Sequence, residues 1–219
     1  MSSTVPITSS KHLPAHLASL LANNAQGYCQ RLQMAPPSSY GRHRGPAPNT
    51  SRAAAVLLLL YQQDGHWKLP LTLRTEQTAH HRGQISLPGG LLEPGETTAQ
   101  AALRELAEEL GPQKDLQLLG SLPKCYVFAS NSDVTPWVAV CKTRTEWNPN
   151  PDEVARVVAF PLAMLYNPDT IQQATVKHDA LEFSVPCFRV GNDHVWGATA
   201  VILDQFKQLL LEERPPLVR

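Results

Sequence analysis

Hydrophobic residues recur along the chain at two spacings, one typical of helices and one typical of strands. Apolar positions three and four residues apart predict helices within residues 11–33, 97–110 and 198–211. Shorter apolar runs predict strands over residues 52–61, 67–74, 116–122, 134–141, 154–160 and 183–190. Thr97 and Gln100 form a capping-box pattern at the start of the second helix, and Gly111 with Pro112 is expected to end it. A short further helix is expected after Pro161. Because strands and helices follow one another without a regular repeat, an α+β sandwich fits this order best.

Turn-forming residues divide the chain into two parts. Prolines and glycines crowd residues 35–51, which predicts an N-terminal helix and loop extension over residues 1–51 and a main domain over residues 52–214. Asp64 and Gly65 predict a hairpin turn after the first strand. Pro70 lacks a backbone N–H, so the second strand is expected to bulge or to lie at a sheet edge.

Composition narrows the class of partner. The net charge is zero and 17% of the residues are charged, which provides no basic surface for coating nucleic acid. The longest apolar run, residues 53–61, is far shorter than the roughly 20 residues of a membrane span. The four cysteines form no C-x-x-C pair and are expected to be free thiols. Neither a nucleic acid nor a membrane is therefore predicted as a partner.

The first acidic residue of the chain is Asp64. An acid-poor, serine-rich start is a feature of organelle targeting peptides, but arginine is sparse in the first thirty residues. We therefore predict a cytoplasmic protein, with organelle targeting as the alternative.

Three glutamates share one face of the helix predicted over residues 97–110. Glu105, Glu108 and Glu109 stand at positions i, i+3 and i+4. Like charges at this spacing destabilise a helix, and negative charge near its C-terminal end opposes the helix dipole. A bound divalent cation such as Mg²⁺, which prefers carboxylate oxygens, would explain the cluster. The alternative is an ordinary solvated face.

The residues around these glutamates decide between the two interpretations. The chain resembles the Nudix box, G-x5-E-x7-R-E-U-x-E-E-x-G-U, in which U is a bulky aliphatic residue. The matching positions are Gly90, Glu96, Arg104, Glu105, Leu106, Glu108, Glu109 and Gly111. Pro112 replaces the last aliphatic residue, which should alter only the exit from the helix.

The resemblance implies a fold and an activity. The Nudix fold is an α/β/α sandwich around a mixed sheet, and its members hydrolyse a nucleoside diphosphate linked to another group. It also implies Mg²⁺ or Mn²⁺ as cofactor. Glu105 and Glu109 would be direct metal ligands, Glu108 would join them directly or through water, and the Gly89 carbonyl is a further candidate.

The remaining catalytic assignments follow from the same resemblance. Arg104 and Glu96 would brace the loop against the helix. Many relatives carry an additional carboxylate in a loop before a late strand, and Glu153 stands at a similar place. Glu153 is therefore a candidate general base. Glu108 or Glu109 could serve instead, and Glu153 could be an ordinary turn residue.

The segment before the box resembles the signature of the coenzyme A diphosphatase branch, roughly L-L-T-x-R-S followed by H-x-G-Q-x-x-F-P-G-G. The matching residues are Arg74, His81, Gly83, Gln84 and Pro88, whereas Ala79 and Leu87 depart from the pattern. Residues 134–136 and 195–200 also resemble this branch. The resemblance implies hydrolysis of coenzyme A, or an acyl derivative, to 3′,5′-ADP and 4′-phosphopantetheine.

Recognition of the substrate phosphates would then fall to three side chains, namely Arg74, His81 and Arg82. Trp196, at the start of the last predicted helix, is interpreted first as a packing residue and second as a platform for a base. The alternatives to coenzyme A are NADH, ADP-ribose or a nucleoside triphosphate, and less favoured is a non-catalytic nucleotide-binding domain. A homodimer is also considered.

Overall fold

A computed structural model of the protein describes residues 12–24, 33–35, 47–75, 83–142, 146–178 and 181–211. Within these residues the chain forms three α-helices, α1 (Leu13–Asn24), α2 (Thr98–Leu110) and α3 (Gly197–Leu211). The strands are β1 (Arg52–Gln63), β2 (His66–Arg74), β3 (Ile85–Ser86), β4 (Gly89–Leu91), β5 (Leu116–Ser121), β6 (Cys125–Val127), β7 (Ser132–Cys141), β8 (Val154–Pro161), β9 (Ile171–His178), β10 (Leu181–Val190) and β11 (Asp193–Val195). Short 3₁₀ turns span Phe128–Ser130, Leu162–Tyr166 and Pro168–Thr170.

Eight strands form the larger sheet, and its central pair is parallel. The order β3-β2-β1-β7-β5 runs across it, while β4 also pairs with β1, β6 with β7 and β8 with β2. The pairing of β1 with β7 is parallel and the other pairings are antiparallel, so the sheet is mixed. A separate antiparallel sheet has the order β11-β10-β9.

Alternate residues of β1 enter two different hydrophobic cores. Leu58 and Leu60 join the core that holds the buried leucines of α1 and the apolar residues of α3. Leu57 and Leu59 join the second core, which lies under α2. Because successive residues of a strand point to opposite faces, both faces of the sheet are covered by helices. This arrangement confirms the predicted α/β/α sandwich.

Helix α1 lies within residues 11–33, as predicted, and residues 25–32 lie outside the described part of the chain. One local prediction needs correction. Pro70 marks neither an edge nor a bulge, because β2 lies inside the sheet and its irregularity falls between Leu73 and Arg74. Pro70 is tolerated because it lies between the residues of β2 that pair with β1 and those that pair with β3.

Other local predictions are confirmed. The Asp64–Gly65 turn joins β1 to β2, and a 3₁₀ turn follows Pro161. Of the four cysteines, Cys125, Cys141 and Cys187 are free, and Cys29 lies outside the described residues. In the described part of the chain, no helix has the length and apolar character needed to cross a membrane. The boundary proposed after residue 51 stays a prediction.

Candidate active site

Helix α2 is fixed at both ends by local interactions. The hydroxyl of Thr97 accepts from the Gln100 N–H at 3.3 Å, and the Gln100 side chain accepts from the Thr97 N–H at 2.9 Å, which is the predicted capping box. Gly111, with φ of 81°, ends the helix before Pro112. The apolar stripe that includes Leu106 and Leu110 then anchors α2 over the second core.

Arg104 contacts three glutamates of the box, Glu96, Glu105 and Glu108. Its guanidinium donates to both carboxylate oxygens of Glu96, each at 3.0 Å, and so forms a bidentate contact. It also donates at 3.0 Å to Glu105, to Glu108 and to the Leu91 carbonyl. We call this set the Arg104 network. It joins the loop before α2 to the helix, which is the contact predicted between Arg104 and Glu96.

Electrostatics differ among the members of the Arg104 network. The hydrogen bonds from Arg104 hold the pKa of the Glu96 carboxyl below its ordinary value. Burial raises the pKa of Glu105, although Arg104 opposes this rise. Glu105 lies directly against Gly90, where a Cβ atom would overlap its carboxylate. The glycine of the box is therefore required for the position of Glu105.

Glu109 faces the sheet and is almost fully buried, with 1% of its surface exposed. The Thr72 hydroxyl donates to its Oε2 at 3.1 Å, and the Gly89 N–H approaches its Oε1 at 3.5 Å. The guanidinium of Arg74 is 3.8 Å from the same Oε1. We call this set the Glu109 pocket. Burial raises the pKa of Glu109 to about 7, because Arg74 and the two hydrogen bonds only partly offset the loss of solvation.

A loop after β7 docks on the C-terminal end of α2. Asn148 and Asn150 donate backbone hydrogen bonds to the Leu110 and Glu109 carbonyls at 2.9 and 3.0 Å. The Asn150 side chain donates to Glu153 Oε1 at 3.4 Å. The charge of Glu153 contributes to the raised pKa of Glu105. Through Asn150, the structure thus connects Glu153 to the end of α2 across more than forty residues of sequence.

Two residues of this site were absent from the sequence predictions. Thr72 stands two positions before Arg74 within the signature segment, and alternation along β2 could have placed it on the side facing α2. Asn150 precedes Glu153 by three residues, but no local pattern indicates that it contacts α2. Of the three predicted phosphate contacts, Arg74 lies at the site, while His81 and Arg82 lie outside the described residues.

The donor set suits a hard divalent cation. Glu105, Glu108 and Glu109 provide carboxylate oxygens and Gly89 a carbonyl, the ligand types that Mg²⁺ and Mn²⁺ prefer. Among the described residues, no three histidine, cysteine or acidic side chains are already arranged so that they could bind a metal ion together. In the Arg104 network the guanidinium contacts oxygens of both Glu105 and Glu108. Binding a cation would require these carboxylates to turn partly away from Arg104.

Comparison with known proteins agrees with this geometry. A family model described as the NUDIX domain matches residues 51–180. The chain is 30% identical over 200 residues to Nudix hydrolase 3 of Caenorhabditis elegans, with 84% of this chain and 83% of that protein covered. It is 32% identical over 163 residues to the mitochondrial coenzyme A diphosphatase of Homo sapiens, with 72% and 69% covered.

A further relative is the peroxisomal coenzyme A diphosphatase of Mus musculus, 28% identical over 173 residues, with 76% of this chain and 73% of that protein covered. Among solved structures, a Nudix hydrolase from M. smegmatis has a TM-score of 0.50 at 19% identity, with 77% of this chain and 91% of that chain covered. This structural likeness supports the fold alone. From the family match and the relatives, the chain belongs to the Nudix family and is a hydrolase of pyrophosphate bonds.

Proposed function

We propose that this enzyme hydrolyses coenzyme A, or an acyl derivative, to 3′,5′-ADP and 4′-phosphopantetheine or its acyl form. The observation that carries the proposal is the contact between Arg74 and Glu109. Arg74 belongs to the signature before the box and Glu109 to the box itself, and their side chains lie 3.8 Å apart. Two motifs that are separate in sequence therefore form one site.

Arg74 is suited to bind a substrate phosphate. Its Nε atom is buried and has no hydrogen-bond acceptor among the described residues. A guanidinium N–H that is buried without an acceptor favours an anionic ligand, because an unmade hydrogen bond at this position is costly. The substrate diphosphate would supply that acceptor next to the Glu109 pocket. His81 and Arg82 stay predicted contacts.

The box glutamates would hold Mg²⁺ or Mn²⁺, with Glu105 and Glu109 as direct ligands, Glu108 directly or through water, and the Gly89 carbonyl as a further candidate. A cation bound there neutralises diphosphate charge and lowers the pKa of a bound water. The chain's own residues supply position. Arg104 and Glu96 fix the loop, and Thr72 orients Glu109.

Glu153 is our preferred general base for activating the attacking water. Its hydrogen bond from Asn150, whose backbone N–H donates to the Glu109 carbonyl, supports this role. Glu108 and Glu109 are the alternatives. In-line attack on one phosphorus would release the other phosphate group, with its nucleoside or pantetheine, as the leaving group.

A substrate panel tests the proposal. The full chain is incubated with coenzyme A, NADH, ADP-ribose and dGTP, each with Mg²⁺ and with Mn²⁺, and the products are identified by mass spectrometry. Release of 3′,5′-ADP from coenzyme A at the highest kcat/KM is the expected result. Hydrolysis of another substrate without release of 3′,5′-ADP would eliminate coenzyme A and keep the enzyme class. The Glu109→Gln variant serves as the control for contaminating hydrolases.

The cellular location and the assembly stay predictions. Two of the relatives are named as peroxisomal and mitochondrial proteins, so the expected cytoplasmic location requires its own test. We propose a small nucleotide as the binding partner, and a homodimer is retained as a hypothesis.

A further inference from the structure

A cavity of about 230 Å³ lies between the larger sheet and the sheet formed by β9, β10 and β11. Its apolar residues include Leu73, Ile85 and Val176, and the last two are buried. Asn192 and His194 line it with exposed polar side chains. Trp196 also lines this cavity, immediately before α3. Buried apolar side chains thus line part of this cavity, and polar atoms form most of its accessible wall. Polar groups that converge around an apolar part are a feature of small-molecule sites.

Trp196 has two roles in this arrangement. Its side chain packs against the small cluster formed by Ala174, Val176, Val185 and Cys187, as the packing interpretation predicts. It is nevertheless only partly buried and contributes to the cavity wall. A large aromatic side chain held by packing on one side provides a rigid surface for a flat ligand on the other.

The cavity adjoins the end of β2 that carries the catalytic site. Leu73 lines the cavity and is the neighbour of Arg74, whose guanidinium approaches Glu109. Leu73 also pairs with Ile85, and the Arg74 N–H donates to the Gln84 carbonyl at 3.0 Å. Neighbouring residues of a strand are about 3.3 Å apart along its axis and point to opposite faces. The Glu109 pocket and this cavity therefore lie on opposite faces of β2 at the same end of the strand, and a ligand bound to both would extend around that end.

The lining indicates which part of a substrate fits. None of the described residues that line the cavity is a lysine or an arginine, and the acidic Asp193 is already paired with Arg156. A phosphate group would lack a cationic partner among them. The volume is also below the roughly 300–1,000 Å³ of a site for a whole drug-sized ligand. A flat, uncharged group with polar edges, such as a purine base, matches both the size and the Trp196 wall.

We propose that this cavity binds the purine base of the nucleotide half of the substrate, with Trp196 as the stacking surface and Asn192 as a polar contact to the base edge. The inference rests on the proposed function, because it takes the Glu109 pocket as the place of the diphosphate. It assigns the base to one face of β2 and the diphosphate to the other.

The test separates the two halves of the substrate. Inhibition of coenzyme A hydrolysis by 3′,5′-ADP and by 4′-phosphopantetheine is measured for the wild type and for Trp196→Ala. Loss of a stacking platform should weaken 3′,5′-ADP by about tenfold and raise KM by a similar factor, with kcat within about threefold. Inhibition by 4′-phosphopantetheine should stay within about twofold. Phe128→Ala, which truncates an aromatic residue that is 50% exposed and belongs to the turn before β7, is the matched control.

Two milder variants cover the case in which Trp196→Ala does not fold. Trp196→Phe keeps a ring in the wall and should retain nucleotide inhibition within about threefold. Asn192→Ala changes an exposed turn residue and should weaken 3′,5′-ADP by about threefold without changing the thermal unfolding midpoint. Unchanged inhibition by 3′,5′-ADP in a folded Trp196→Ala, or in Asn192→Ala, would overturn the proposal. A selective loss of 4′-phosphopantetheine binding would assign the cavity to the other half.

A binding measurement distinguishes this failure from failure of the proposed function. Adenosine carries the base without any phosphate, so its binding does not depend on the diphosphate site. Its titration into the full chain, followed by tryptophan fluorescence, should give a quenching signal that Trp196→Phe reduces and Phe128→Ala preserves. Quenching without hydrolysis of coenzyme A would retain the base site and reject the substrate. Hydrolysis with the same adenosine response in wild type and Trp196→Phe would retain the substrate and reject the base site.

Discussion

Glu108 and Glu109 are neighbours on α2, yet they occupy opposite environments. The Glu108 side chain is 50% exposed and is held by a salt bridge in the Arg104 network. Glu109 is buried in the Glu109 pocket, where Thr72 and Gly89 contact its carboxylate. Glu108 is therefore positioned by the Arg104 guanidinium, whereas Glu109, on the same helix, is positioned by burial.

This difference has a chemical consequence. In the Arg104 network the guanidinium favours the ionised carboxylate, as the lowered pKa of Glu96 shows. In the Glu109 pocket burial favours the protonated form and raises the pKa of Glu109 to about 7. A divalent cation bound at Glu109, as we propose, would have to displace a proton from it. The Arg104 network joins the loop to the helix, whereas Glu109, as a proposed metal ligand, would couple metal binding to pH.

The largest effect is expected from Glu109→Gln. The amide keeps the shape of the side chain and can still accept a hydrogen bond from Thr72, but it removes the charge that would hold the proposed cation. We expect kcat to fall at least 100-fold with Mg²⁺, on the order of 3 kcal/mol in the barrier, while substrate binding changes less. Steady-state kinetics measure both parameters. Turnover like that of the wild type would exclude Glu109 as a metal ligand.

The second prediction concerns stability in the absence of metal. The pKa of Glu109 is about 7 in the folded chain, against an ordinary value of 4.5. The folded state retains this proton longer, so the free energy of unfolding should fall as pH rises from 4.5 to 7 and level off above it. The contribution of Glu109 is about 3 kcal/mol.

Urea unfolding between pH 5 and pH 8.5 in EDTA measures this dependence. Glu109→Gln should remove the component and be more stable than the wild type at pH 8, since it buries no charge. Adding Mg²⁺ at pH 8 should stabilise the wild type more than the variant. A wild type and variant with parallel pH profiles would show that Glu109 does not titrate near pH 7.

A smaller effect is expected from Arg104→Lys. Lysine keeps the positive charge. Its single ammonium group, however, cannot form the bidentate contact with Glu96 and, at the same time, the hydrogen bonds to Glu105, Glu108 and Leu91. We expect kcat/KM to decrease about tenfold to thirtyfold. Arg52→Lys is the matched control, because the Arg52 side chain donates to the Ser130 carbonyl and does not belong to the Arg104 network. Equal activity of the two variants would show that catalysis does not depend on the Arg104 network.

The smallest effect is expected from Asn150→Ala, which removes the hydrogen bond to Glu153. If Asn150 acts through Glu153, kcat should fall about threefold to fivefold with KM nearly unchanged. The same substitution in a Glu153→Gln background should then cause no further loss. Additive losses in the double variant would instead indicate that Asn150 only holds the loop against α2.

Local sequence patterns were sufficient to predict helix α2 and the resemblance to the Nudix family. The Thr97 capping box, the stop at Gly111 and the pairing of Arg104 with Glu96 depend on residues within sixteen positions of one another, and all three agree with prediction. Strand β9 was not predicted, because Ile171–His178 contains few apolar residues. Its antiparallel pairing with β10 stabilises it as a strand instead.

The sequence alone determined the helix, its spacing of carboxylates and the tight loop before it, since hydrogen bonds and side-chain periodicity within a few turns depend on neighbouring residues. Only the tertiary structure decided that Glu109 is buried and Glu108 exposed, because burial depends on β2 and β4 packing against one side of α2. It also decided that Asn150 and Glu153 reach this helix, and that Trp196 faces a cavity behind Arg74. Such contacts join segments far apart in the chain, and no local pattern encodes the distance between them.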